Sequence, residues 1–215
     1  MEYNFVLLAL IAITALISYK GFQDRLFFSQ FQFHIGSIKA GEQYRMITSG
    51  FLHGDVMHLI FNMYALYSFA PVVIAYFGNF TFVLVYFFSL LCGSFLTYFF
   101  NKNNYSYAAI GASGAVTGIV YAAILLEPGM SLYLFFIPIP IPTYIFGIGY
   151  LLYSIYGMKA QNDGIGHTAH FGGAIGGYVF TLFKYPEMVT ENTFMVFLLL
   201  VPIVILFVMK RQGKV

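Results

Sequence analysis

Charged side chains fall in a few short clusters along the 215-residue chain, and the stretches between them are almost wholly apolar. No Asp, Glu, Lys or Arg occurs in residues 56–101, 103–126, 128–158, 164–183 or 192–209. Several of these stretches reach or approach the roughly 20 residues a helix needs to cross a bilayer. The pattern predicts seven membrane helices, over about residues 3–19, 55–75, 80–100, 112–126, 142–158, 167–183 and 193–209. Asp55 is placed as the N-cap of the second helix. The Pro-rich run Phe-Phe-Ile-Pro-Ile-Pro-Ile-Pro (135–142) excludes regular helix before the fifth, and Pro202 marks an expected kink in the seventh. The 20–54 stretch sets Phe22, Phe27, Phe28, Phe31 and Phe33 among charges, which predicts interfacial structure rather than a flexible linker.

The fourth helix stands apart. Fifteen residues span about 22 Å at the helical rise, against a hydrocarbon core of about 30 Å. Its N-terminus is therefore expected below the membrane surface, in a cavity lined by protein or water, because unpaired backbone groups are not tolerated facing lipid.

Composition agrees with a polytopic membrane bundle of the all-α class. The chain is 60% hydrophobic and 8% charged, with a mean hydropathy of +0.81, where soluble domains carry about 25% charged residues. A net charge of +2 gives no reason to expect nucleic acid as a partner. The single Cys92 excludes an internal disulfide and reads as a packing residue. The first apolar run lacks a basic leader and a small-residue cleavage site, so it is expected to be a retained helix.

Candidate chemistry collects at three helix starts. The five histidines are His34, His53, His58, His167 and His170; four of them flank the starts of the second and sixth helices, and Ser113 starts the fourth. Even-numbered helices run parallel, so topology alone brings Ser113, His58 and His170 to similar depth. Gly114 and Gly118 on the fourth helix, and Gly173 and Gly177 on the sixth, have the small-xxx-small spacing that lets membrane helices approach closely. That approach would let Ser113, as a nucleophile, reach His170. His58 and Asn62, four apart on one helix face, together with first-turn amides, have the donors to stabilise an oxyanion. Packing alone is the competing reading of a lone serine among glycines. His167 and His170, three apart, have the spacing of metal ligands, while Asp163 is expected to be a solvated loop residue.

Four motifs in order resemble the rhomboid family of intramembrane serine proteases. Gly-Ala-Ser-Gly (111–114) is similar to that family's serine motif and Ala-His-Phe-Gly-Gly-Ala-Ile-Gly-Gly (169–177) to its histidine helix. His-Gly-Asp-Val-Met-His-Leu-Ile-Phe-Asn (53–62) is similar to its H-x4-H-x3-N motif, and Tyr44-Arg45 to the aromatic–Arg pair of its long first loop. The resemblance implies a six-helix core over residues 1–185 and an added C-terminal membrane helix in residues 186–215. It implies Ser113 as nucleophile, His170 as general base, and His58, Asn62 and the Ser113 amide as the oxyanion hole. Gly111, His53, His167, Arg45, Gly173 and Gly177 take supporting roles, Arg45 by holding the long loop and His53 by bonding loop backbone. No cofactor or metal is implied. The family often carries an aromatic four residues after the serine, where it stacks on the histidine. Here that position is Thr117, so His170 needs another support, for which His167 is the candidate.

The expected function is hydrolysis of a peptide bond in or near the transmembrane segment of another membrane protein, in a plasma or inner membrane. The expected partners are that substrate and the lipid bilayer. A metal-dependent hydrolase using His53, His58, His167 and His170, and an inactive membrane-protein-binding relative, are the rival readings. Lys102, Lys159, Lys210, Arg211 and Lys214 fall on the side where the even helices start, with Lys184 opposite; positive-inside counting puts that side in the cytoplasm, whereas the resemblance implies a site open to the outside. The entry to the fifth helix and the 159–166 loop are the expected moving parts.

Overall fold

A computed structural model describes residues 4–133, 139–160 and 166–215. Asn4 caps α1 (Phe5–Gln23) by accepting the Leu7 amide at 3.1 Å. Asp24 ends that helix and starts α2 (Arg25–Phe31) by accepting the amides of Leu26 and Phe27. A two-residue strand β1 (Phe33–His34) and the short helices α3 (Ile35–Lys39) and α4 (Arg45–Thr48) complete the long connection. The aromatic 20–54 stretch is thus built of short ordered elements. α1 runs four residues further than its apolar pattern suggested, because Lys20 pairs with Asp24 across one turn and carries the helix into the polar segment.

Asp55 does cap α5 (Val56–Asn101), its carboxylate accepting the His58 amide at 2.8 Å. This 46-residue element is two helices joined at Gly78, whose φ of +75° reverses the chain. Asn4 donates to Asn79 at 2.6 Å across that bend, which sets the start of α1 beside the end of α5's first arm. After β2 (Ala108–Ala109) comes α6 (Ser113–Leu126), then the strands β3 (Ser131–Leu132) and β4 (Ile141–Pro142), α7 (Thr143–Ala160), α8 (His167–Lys184), α9 (Met188–Glu191) and α10 (Thr193–Arg211). Pro202 lies inside an uninterrupted α10. Residues 135–138 of the Pro-rich run and 161–165 of the loop before α8, with Asp163, lie outside the described residues.

The fold is mostly helical, and among the described residues there are two strand pairs of two residues per strand. Periodicity did not predict them. β1 pairs antiparallel with β2, Phe33 opposite Ala109, and so ties the long connection to the segment leading into α6. Among the described residues, three helices are long and apolar enough to cross a membrane: Phe5–Gln23, Val56–Asn101 and Thr193–Arg211. At about 1.5 Å per residue, the two arms of α5 together hold about 69 Å of helix, enough for two passes through a hydrocarbon core.

α6 is the centre of the molecule. All 14 of its residues are buried, and it packs against both α5 and α8, which also pack on each other. Glycine makes this three-way contact possible. A side-chain carbon at Gly173 would overlap the Gly114 carbonyl, and one at Gly177 the Gly118 carbonyl. The next face of α8 repeats the device against α5's second arm: Gly172 meets the Cys92 carbonyl and Gly176 the backbone of Ser89. Backbone therefore rests on backbone along two sides of α8, as small-xxx-small spacing allows.

Overpacking a close interface costs about 1–3 kcal/mol. Gly173→Ala should therefore lower the thermal midpoint of the detergent-solubilised protein clearly. Gly149→Ala, on α7 where a methyl meets nothing within 4 Å, should leave it unchanged. Equal midpoints for the two variants would refute the backbone-contact account of α6 and α8.

Candidate active site

The loop before α6 is held in an unusual path. Gly111 has φ +117°, a conformation side chains resist, and its amide donates to the Ser49 carbonyl at 3.0 Å. A side chain there would come within 3.0 Å of the His58 ring and 3.7 Å of Ser113 Oγ. The next amide, of Ala112, donates to His53 Nε2 at 3.4 Å. His53 is fully buried, and its Nδ1 lies 2.8 Å from Ser18 Oγ, which donates to the Phe51 carbonyl at 2.8 Å. An amide can only donate and a carbonyl only accept, so this chain fixes His53 as the neutral Nδ1–H form. Burial, then the nearby His58, pushes its pKa down to about 3 against a partial opposing effect of Asp55.

That loop delivers Ser113 to the first turn of α6, where no side chain caps the helix. Ser113 Oγ lies 2.9 Å from His170 Nε2. Both side chains are buried, at 9% and 2% exposure, yet both line a cavity of about 690 Å³. Asp55, His58, Asn62, Thr117 and Tyr150 add polar groups to its wall, while Phe69, Val116, Val120, Leu132 and Phe146 make much of the rest apolar. Asn62 donates to the His58 carbonyl at 3.0 Å, and the His58 ring stands edge-on to His53 at 4.9 Å. Thr117 turns its hydroxyl back onto the Ser113 carbonyl at 2.6 Å and does not stack on His170.

The support for His170 comes from α7. The Tyr150 ring covers the imidazole at a centroid distance of 4.8 Å and a 30° tilt, with its hydroxyl 3.1 Å from Nε2. Ser154 Oγ lies 2.9 Å from Nδ1. The ring packing continues outward, Tyr150 on Phe146 and Phe146 on Phe69 of α5, both stacked. His167 lies edge-on to His170 at 5.6 Å and packs against Gly157; it touches the imidazole, but the described hydrogen bonds to both ring nitrogens come from elsewhere. The sequence reading singled out neither Tyr150 nor Ser154. Their spacing of four on an apolar helix was the available signal, and it is indistinguishable from packing without knowing that α7 faces α8.

Arg45 lies outside this group. Its buried guanidinium pairs with Glu42 at 2.5 Å and donates to the carbonyls of Ser29 at 2.6 Å and Gln32 at 3.0 Å. It pins α2 to α4 and so holds the long connection together. Among the described residues, no three His, Cys, Asp or Glu side chains converge on a point suited to a metal ion.

A family description, "Rhomboid domain", matches residues 40–187. The chain belongs to the rhomboid family. It is 29% identical over 175 residues to RHOMBOID-like protein 12, mitochondrial, of Arabidopsis thaliana, covering 74% of this chain and 51% of that one. It is 29% identical over 153 residues to the presenilin-associated rhomboid-like protein, mitochondrial, of Rattus norvegicus, covering 68% and 39%. Rhomboid protease GluP of Bacillus subtilis (strain 168) is 33% identical over 141 residues, covering 66% and 26%. The match thus spans about half or less of each relative's length. Rhomboid membership and the apolar helices together make this a membrane protein.

The buried neutral His53 carries a pH consequence. In the unfolded chain a histidine takes up a proton below about pH 6.5, while in the fold it stays neutral until about pH 3. The unfolded state therefore binds more protons in that window, and stability should fall as pH drops from about 6.5 towards 3. His53→Gln, whose amide supplies one acceptor and one donor without charge, should flatten the decline in thermal midpoint over that range. An unchanged slope would show that His53 is not the group responsible.

Proposed function

We propose that this rhomboid is an intramembrane serine endopeptidase, cleaving peptide bonds in or near transmembrane segments of other membrane proteins. The observation that carries the reading is Ser113 Oγ at 2.9 Å from His170 Nε2, buried yet open to a cavity large enough for a peptide segment. As Ser113 attacks the scissile carbonyl, His170 Nε2 takes its proton. The tetrahedral oxygen develops negative charge beside the uncapped first-turn amide of Ser113 and the side chains of His58 and Asn62, donors suited to an oxyanion. Asn62 would exchange its bond to the His58 carbonyl for one to that oxygen. The leaving amine takes the proton from His170, and the acyl group stays on Ser113. Water, activated by the same imidazole, then releases it.

The cavity wall suggests the path of the substrate. Phe61 and Phe69 from α5's first arm and Phe146 and Tyr153 from α7 face the same space, so a membrane segment would enter laterally between these helices, with α7 moving to admit it. In this reading residues 1–185 form the six-helix catalytic core and α10 is the added seventh span, in a multi-pass protein of a plasma or inner membrane. The engagement of both His53 ring nitrogens by Ser18 and the Ala112 amide removes that residue from any metal set.

Purified protein in detergent should cleave a model transmembrane substrate, with activity that survives excess EDTA. Ser113→Ala should abolish cleavage. Asn62→Ala should lower kcat by up to about 10² to 10³ with little change in KM, the scale of losing one oxyanion donor. Full cleavage by the Ser113→Ala protein, or loss on chelation restored by zinc, would refute the assignment.

A further inference from the structure

The general base of a serine hydrolase needs an acceptor behind it, one that holds the imidazole in the right tautomer and stabilises the imidazolium. At His170 the described partner of Nδ1 is a hydroxyl. Its Nδ1 meets the hydroxyl of Ser154 at 2.9 Å, and Ser154 also lies 3.0 Å from the Tyr150 carbonyl one turn earlier on α7. A serine hydroxyl has one hydrogen and a carbonyl cannot supply one. With the Ser154 hydrogen on the Tyr150 carbonyl, the Nδ1 contact requires the hydrogen of His170. Nε2 is then the bare nitrogen, and it is the one that faces Ser113.

The same device occurs at His53, where its direction is independently fixed. There the Ala112 amide must donate to Nε2, so Nδ1 carries the hydrogen, passes it to Ser18, and Ser18 passes its own to the Phe51 carbonyl. Two buried histidines in one chain are thus each set by a fully buried serine backed by a main-chain carbonyl.

We propose that Ser154 is the positioning residue of His170: its hydroxyl accepts Nδ1–H, fixes the tautomer with Nε2 free to take a proton from Ser113, and accepts the stronger bond of the imidazolium during attack. The proposal rests on the reading of Ser113 and His170 as the catalytic pair. It also makes α7 more than a wall of the cavity, since the helix that borders the lateral entrance carries the group that orients the base. A neutral hydroxyl gives a weaker bond than a carboxylate, which suits a site where a buried charge is costly.

Two measurements on the purified full chain test this. The first is kinetic. Ser154→Ala should lower kcat about tenfold, the scale of one hydrogen bond realised in the transition state, with KM close to that of the parent. Ser154→Thr, which keeps the hydroxyl, should restore kcat. The second is the nitrogen NMR spectrum of histidine-labelled protein at mildly alkaline pH, with the His170 signals identified by their loss in His170→Gln. The parent should show the Nδ1–H tautomer at His170, and Ser154→Ala should lose that preference while His53 keeps its own. A retained Nδ1–H preference in Ser154→Ala, or a threonine variant as slow as the alanine one, overturns the assignment. A parent that cleaves no substrate would instead count against the peptidase reading, and the tautomer measurement would still decide the role of Ser154.

Discussion

The contact of α6 with α8, backbone against backbone, is the constraint on which the rest depends. A hydrogen bond of 2.9 Å between side chains 57 residues apart tolerates little error in helix position; misplacement by 1 Å can cost about a hundredfold in rate. Ser113 and His170 both have short side chains close to their helix axes, so the axes themselves must be close. Only residues without a side-chain carbon permit that, which is why Gly173 and Gly177 sit against the Gly114 and Gly118 carbonyls. The same four glycines explain how α6, too short to span the hydrocarbon by itself, is sealed: every one of its residues is buried by its neighbours.

Around that contact the molecule holds two buried histidines in place. His53 belongs to the scaffold, tying α1 through Ser18 to the loop that presents Ser113. His170 faces the cavity beside Ser113, and α7 holds it by a ring on its face and a hydroxyl on each nitrogen. Tyr150 and Ser113 both reach Nε2. α7 in turn leans on α10 as well as α8, which connects α10 to the position of His170.

Much of this was legible in the sequence, for identifiable reasons. Charge-free stretches fix helix location because lipid excludes charge, and they placed α6, α7, α8 and α10 to within a few residues. Helix parity alone put Ser113, His58 and His170 at one depth. Glycine spacing predicted which helices touch, since few other causes put Gly at every fourth position of an apolar helix. What escaped were features set by tertiary contact. The strands β1 and β2 have two residues each and arise from the meeting of two distant loops. Tyr150 and Ser154 look like ordinary residues of an apolar helix until α7 is turned to face α8. With Thr117 in place of an aromatic, the sequence pointed to His167 as the support of His170 because it is adjacent in the chain; among the described contacts, the hydroxyls at the imidazole nitrogens include those of Tyr150 and Ser154 on the neighbouring helix.

The central claim is that Ser113 is a nucleophile activated by His170, and a fluorophosphonate tests it without any knowledge of the substrate. The purified protein, treated with the probe, digested and read by mass spectrometry, should carry the phosphonyl adduct on Ser113, and His170→Ala should lose it. An unmodified Ser113, or an adduct formed equally well without His170, would contradict the account.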